Sequence, residues 1–151
     1  MTLAYKRGFV AVTAGMLLNF FGDWITGINI ETFKGISTFT FSWMLDVFLV
    51  PFITGFIVAK IYRDRGGKYL ACLPPLFVRC ITYFYMYMYV YNDGKDFNYH
   101  LNLYYWGPCV ILAVEASNFG AIIGEVLAGA YRTRQIRTLE NAINKRYPAD
   151  A

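Results

Sequence analysis

Residues 69–91 read YLACLPPLFVRCITYFYMYMYVY, an apolar run with Arg79 near its middle. At a rise of 1.5 Å per residue, a helical run of this length crosses the roughly 30 Å hydrocarbon core of a bilayer. Toward its end, tyrosine occupies every second position, which is the period of a β-strand. We nevertheless predict a helix, because the intervening residues are also apolar and the open edge of a strand cannot be satisfied in lipid.

The whole chain has the composition of a protein dissolved in lipid. Of its 151 residues, 57% are apolar and 16% are charged, against about 25% charged in an average soluble domain. Further long apolar runs cover residues 8–28, 38–61 and 103–131. The predicted fold class is therefore an all-α integral membrane protein with four transmembrane helices in an antiparallel bundle. Residues 1–131 form this domain, and residues 132–151 form a cytoplasmic basic tail with an amphipathic helix.

The cysteines and the histidine do not form a pattern that indicates chemistry. Cys72, Cys80 and Cys109 lie in apolar runs without a CxxC spacing, and His100 lies in a predicted loop. Such cysteines are expected to be small apolar packing residues. The sequence also shows no nucleophile with its base and no phosphate-binding glycine loop. We therefore expect no enzyme activity, no catalytic residue, no cofactor, no metal site and no nucleic-acid partner.

The basic residues predict the orientation in the membrane. With a cytoplasmic N-terminus, eleven Lys and Arg residues lie inside, and Lys34 and Lys95 lie outside. An excess of Lys and Arg marks the cytoplasmic loops of a membrane protein. Both termini are therefore expected in the cytoplasm, and the expected location is a bacterial inner membrane. The eleven residues are Lys6, Arg7, Lys60, Arg63, Arg65, Lys68, Arg132, Arg134, Arg137, Lys145 and Arg146.

Small residues recur at helical spacing on the first and fourth predicted helices. Such rows let helices approach closely in lipid, and an asparagine within one can hydrogen-bond across the contact. Asp23 is the last member of the first row, which also contains Ala11, and it is near enough to the far end of its helix that it could simply reach the headgroup region. The residues predicted to pack between helices are Gly15, Asn19, Ala116, Gly120, Gly124 and Ala128.

Three charged residues lie at similar depth on three predicted helices. Helical rise places Asp46 about 12 Å from the outer end of the second helix and Glu115 about 18 Å from that of the fourth. Arg79 lies about 15 Å from the inner end of the third helix. A charge near the bilayer centre costs at least about 2.5–3.5 kcal/mol, so we predict a buried cluster of the three. The polar residues expected to support it are Ser42, Thr82, Tyr83 and Asn118.

Two carboxylates and one arginine leave one acid in excess, which is either protonated or meets a cation or a partner subunit. Two functions therefore remain open. The first is a component of an oligomeric or hetero-oligomeric assembly whose cluster lines a polar, proton- or ion-coupled transport pathway. The second is a structural or accessory subunit in which the charges only hold the bundle together. A phage-type pore-forming protein fits three midplane charges less well. The expected partners are membrane lipids and other copies or other membrane subunits.

The second and fourth predicted helices resemble each other. A shift of 69 positions aligns Asp46 with Glu115 and Gly55 with Gly124. A true repeat would make the chain two parallel helical hairpins related by an axis along the membrane normal. Asp46 and Glu115 would then face each other. The alternative is coincidence between two helices with ordinary interfacial anchors.

Reporter fusions test the predicted topology. We expect alkaline phosphatase, which is active only in the periplasm, to be inactive at the C-terminus and active when inserted in the loop of residues 92–102. A fluorescent protein, which matures in the cytoplasm, should show the reverse pattern. Active phosphatase at the C-terminus would contradict the orientation drawn from the Lys and Arg residues.

Overall fold

The computed structural model describes residues 3–27, 35–63, 66–92 and 99–129, and within these ranges it contains helices and no strand. A 3-10 turn, Gly35–Thr38, precedes α2, and a π-helical segment, Leu45–Leu49, joins α2 to α3. The all-helical fold class is confirmed for these residues, including the run of alternating tyrosines up to Asn92. In chain order the α-helices are α1 (Leu3–Thr26), α2 (Phe41–Met44), α3 (Val50–Tyr62), α4 (Gly67–Ala71), α5 (Leu73–Asn92) and α6 (Tyr99–Leu127).

Within the described ranges, three helical stretches are long and apolar enough to cross a membrane: Tyr5–Thr26, Phe41–Tyr62 and Tyr104–Leu127. They correspond to the first, second and fourth predicted spans and are compatible with a membrane protein. α5 has 20 residues, which is sufficient length. Its tyrosines, its prolines and Arg79 make it less apolar than the other three. The fourth span therefore stays a prediction.

The helix boundaries differ from the predicted ones for local reasons. α2 begins at Phe41 because the side chain of Thr40 accepts a hydrogen bond from the backbone N–H of Trp43 at 3.1 Å, which caps the helix. The third predicted helix is interrupted at Cys72, just before Pro74 and Pro75, which have no N–H to continue the α4 hydrogen-bond pattern. α6 begins at residue 99 rather than 103. The predicted tail of residues 132–151 lies outside the described residues.

α3 and α6 are in direct backbone contact. A Cβ added at Gly55 would lie 1.8 Å from the carbonyl oxygen of Ser117, and one added at Gly120 would lie 1.9 Å from that of Phe52. Only a hydrogen atom fits at either position. Because lipid provides no hydrophobic drive between helices, close contacts of this kind supply the packing energy.

α1 packs against α3 and α5 through small and polar residues. A Cβ at Gly15 would lie 2.6 Å from the Pro74 ring and 2.8 Å from a methyl group of Val58. One turn further, the buried Asn19 donates a hydrogen bond from Nδ2 to Thr54 Oγ1 at 2.9 Å. The polar stripe of α1 therefore faces the bundle.

The substitution Gly55→Ala tests the backbone contact between α3 and α6. We expect it to lower the free energy of unfolding by about 1–3 kcal/mol or more, because the added methyl group forces the two backbones apart. The measurement is thermal unfolding in mild detergent. The control is Gly8→Ala in α1, where a Cβ would make only ordinary van der Waals contacts, at 3.6 Å or more. If both variants unfold alike, the close contact does not contribute to stability.

Candidate functional site

Asp46 lies in the π-helical segment and is fully buried. In this segment the N–H of Val50 donates to the carbonyl of Leu45, five residues earlier. The next donor in that register would be residue 51, which is proline and has no N–H. The carbonyl of Asp46 accepts a hydrogen bond from Arg79 Nη2 at 3.1 Å. The guanidinium of Arg79 thus provides the hydrogen-bond donor for the Asp46 carbonyl that Pro51, without an N–H, cannot provide.

Arg79 meets two carboxylates. Its Nη2 atom forms a salt bridge with Asp46 Oδ2 and lies 3.5 Å from Asp23 Oδ1. The arginine is only 5% exposed, and Asp23 only 9%. We call Asp23, Asp46 and Arg79 the charged triad. Its members come from α1, the π-helical segment and α5, so one guanidinium joins three helical elements.

The two carboxylates are not equally satisfied. Asp46 Oδ1 also lies 3.2 Å from Thr26 Oγ1, whose single hydroxyl hydrogen has the carbonyl of Gly22 as an alternative acceptor at 2.9 Å. Asp23 Oδ1 is buried and accepts no hydrogen bond from any described residue. With both acids ionised, the triad has a net charge of −1 in a buried position, which is costly. One proton on either carboxylate would bring the net charge of the triad to zero.

The two carboxylates of the triad lie nearer one end of their helices than the sequence suggested. Asp23 is three residues before the end of α1 at Thr26, about 4.5 Å along the axis. Asp46 is about 7.5 Å from the start of α2 at Phe41. The side chain of Asp23 turns inward to Arg79 and is buried, so Asp23 is a bundle-facing residue.

Glu115 is not a member of the cluster. It is exposed on α6, whereas the bundle-facing side of that helix carries the buried Ser117 and Gly120. Among the described residues, Glu115 forms no ion pair with Arg79. The prediction that Glu115 joins the cluster and faces Asp46 across a repeat axis is wrong. Helical rise gives the depth of a residue, but packing gives the rotation of the helix about its own axis.

The predicted supporting residues are also placed differently. Ser42 is exposed. Thr82 Oγ1 donates to the carbonyl of Val78 in its own helix, at 2.8 Å. The ring of Tyr83 lies against that of Trp106, with centroids 4.8 Å apart. Thr82 therefore makes a contact within α5, and Tyr83 makes one between α5 and α6.

Asn118 is half-buried on α6, one turn after Glu115. Of the residues predicted to pack between helices, Ala116 is 9% exposed, and a Cβ at Gly124 would lie 3.0 Å from the carbonyl oxygen of Phe56. Ala128 is exposed in the turn after α6 and does not pack. The row of small residues therefore makes its contact over the earlier turns only.

Sequence reasoning missed Asp23 and Thr26 as site residues. Asp23 follows Gly15 and Asn19 at four-residue spacing, so it lies on the helix face that packs against α3. Thr26 is one turn further along the same face. The signal was the polar stripe itself, which indicated a bundle-facing carboxylate.

Two further contacts hold the neighbouring helices. Trp43, one turn before Asp46, donates its Nε1–H to the hydroxyl of Tyr105 and so ties α2 to α6. At the other end, Glu125 is 4% exposed, and its Oε1 accepts the backbone N–H of Lys68 at the start of α4, at 3.1 Å. The buried polar groups of α6 thus serve helix packing at both ends.

No protein-family model, no curated protein and no solved structure matches the chain.

The substitution Arg79→Leu tests the triad. We expect it to lower the free energy of unfolding by about 3–5 kcal/mol, because it leaves the buried carboxylate of Asp46 without its partner. The measurement is thermal unfolding and oligomeric state in detergent. Glu115→Gln, which changes an exposed acid, is the control and should unfold like the wild type. Equal stability of Arg79→Leu and wild type would contradict the contact.

Proposed function

We propose that this protein is a small integral membrane subunit that binds one exchangeable proton at the charged triad and works in an oligomeric or hetero-oligomeric assembly. The observation that carries the proposal is the charge balance, since Asp23 and Asp46 share the single guanidinium of Arg79. Ionisable carboxyls buried among membrane-spanning helices are the usual groups of proton relays and coupled transport. The proposal assigns no reaction, metal or cofactor to the chain.

The proposed topology has four spans of alternating direction, with α4 and α5 as the third. Contacts between α1 and α3 support it. Gly8 lies beside Tyr62 and Gly22 lies beside Val50, so α1 and α3 run in opposite directions. α5, with 20 residues, extends about 30 Å, and its one charge is buried rather than exposed. The Lys and Arg distribution supports cytoplasmic termini, and a bacterial inner membrane is the proposed location.

Buried polar side chains along α1 and α3 support a proton route that leads away from the triad. From Asp23, one turn of α1 leads to Asn19, whose Oδ1 is buried without a hydrogen-bond partner in the described ranges. Asn19 in turn contacts Thr54, which is fully buried. One turn deeper, Gly15 is closed off by apolar side chains of α3 and α5. The row of polar side chains within one chain therefore ends at Gly15. A continuous proton route across the membrane would need polar groups from further subunits.

A structural role is the second candidate. It is favoured by the complete burial of Asp46 and by the way in which Arg79 joins three helical elements. In this role the protein is an accessory subunit of a larger membrane complex, and the triad only holds its bundle together.

Proton flux separates the two candidates. In liposomes that contain an entrapped pH-sensitive dye, we expect the assembled protein to dissipate an imposed pH gradient, and Asp23→Asn and Asp46→Asn each to abolish this flux. Ser42→Ala, at an exposed position, is the control and should retain it. Wild-type flux in both asparagine variants would remove the transport proposal and leave the structural one.

Infrared spectroscopy tests the proton itself and needs no partner subunit. In a Glu115→Gln background, we expect one C=O stretching band of a protonated carboxyl, which Asp23→Asn or Asp46→Asn removes without unfolding the protein. Absence of such a band at every pH at which the protein is folded would contradict a shared proton at the triad.

A further inference from the structure

We propose that the outward face of α6 around Glu115 binds a transmembrane helix of a different polypeptide that carries a basic side chain near its middle. The inference rests on the proposed role in an assembly, for which it names the chemistry of the partner. It concerns a surface of α6 that lies apart from the charged triad.

Glu115 lies at the centre of a span, and no cation among the described residues forms a salt bridge with it. It is 11 residues from Tyr104 and 12 from Leu127, so about 16–18 Å of helix extends on either side. Its neighbours at helical spacing are apolar and exposed, including Ile111 at 63% and Phe119 at 62%. Acyl chains offer neither a cation nor a hydrogen-bond donor at this depth. A carboxyl on such a face indicates a protein partner.

A groove lies beside this carboxyl. It has a volume of about 500 Å³ and runs between α6 and the rod formed by α2, the π-helical segment and α3. Its walls are apolar and include Met44, Phe48, Ala116 and Phe119. Ala116 and Phe119 are one and four positions after Glu115, so a helix in the groove passes next to the carboxyl. The small side chain of Ala116 permits close approach.

Charge complementarity favours a different polypeptide over a second copy. Among the described residues, the exposed cations Lys6, Arg7, Lys60 and Arg63 all lie near the start of α1 or the end of α3. Arg79 is buried in the triad. Two copies joined symmetrically through this face would bring Glu115 against Glu115, and like charges in close contact are unfavourable. A Lys or Arg at the middle of another helix fits the site, and the half-buried Asn118 can add a hydrogen bond.

Synthetic transmembrane peptides test the inference. The intact protein, labelled with a donor fluorophore, is reconstituted in phosphatidylcholine vesicles with acceptor-labelled Leu/Ala helices that carry Arg, Leu or Glu at the central position. We expect energy transfer to show at least about tenfold tighter binding of the Arg peptide than of the Leu peptide, and weaker binding of the Glu peptide. Glu115→Gln should remove the preference for Arg.

Two control variants separate charge from packing. Met44→Ala, in the groove wall, should weaken all three peptides alike, whereas Phe20→Ala, on an exposed face of α1, should weaken none. Equal binding of the Arg and Leu peptides to the wild type would overturn the inference. Self-association in sedimentation experiments that is lost in Glu115→Gln would overturn it in favour of a second copy. If the protein shows no preference for the Arg peptide while the infrared band of the triad persists, the inference about the α6 face is contradicted and the proposal of proton binding at the triad is not.

Discussion

Arg79 introduces a permanent positive charge into a part of the bundle that side chains close off from solvent, and three helical elements are arranged around it. Its Nη2 atom reaches a backbone carbonyl and a carboxylate of Asp46 and lies 3.5 Å from Asp23. A guanidinium suits this position because its planar fork stays ionised and offers several donors in fixed directions. The ends of α1 and α2 are therefore positioned electrostatically as well as by packing.

The π-helical segment and Pro51 make this arrangement possible from the backbone outward. A wider helical turn changes the hydrogen-bond register, and the proline then leaves one carbonyl without a backbone donor. In lipid such an acceptor must be satisfied internally. With one guanidinium, Arg79 therefore donates a hydrogen bond to the carbonyl of Asp46 and forms a salt bridge with its carboxylate. These contacts link the backbone geometry at the junction of α2 and α3 to the position of α5.

The sequence predicted the helix content and three stretches that are long and apolar enough to cross a membrane, because both depend on composition and length. It also predicted that Arg79 requires acidic partners, because an isolated charge in lipid is costly. Glu115 rather than Asp23 was predicted as the second acidic partner of Arg79. The depth of a residue along a helix follows from counting residues, whereas the side of the helix that faces the bundle depends on packing. The close contact of α6 with α3, at Gly55 and Gly120, fixes the rotation of α6, and the row of small residues on α6 was the sequence pattern that indicated it.

The glycine contact also restricts which parts of the bundle can move. Where two backbones touch, as at Gly55 and Gly120, neither helix can roll or slide without a clash, so α3 and α6 behave as one rigid block. α1 also packs closely against α3, since a Cβ at Gly22 would lie 2.3 Å from a methyl group of Val50, but its Asp23 meets Arg79 without a hydrogen bond. The weakest contact of the triad is therefore the one between Asp23 and Arg79, and it lies next to two helices that are held together through their backbones.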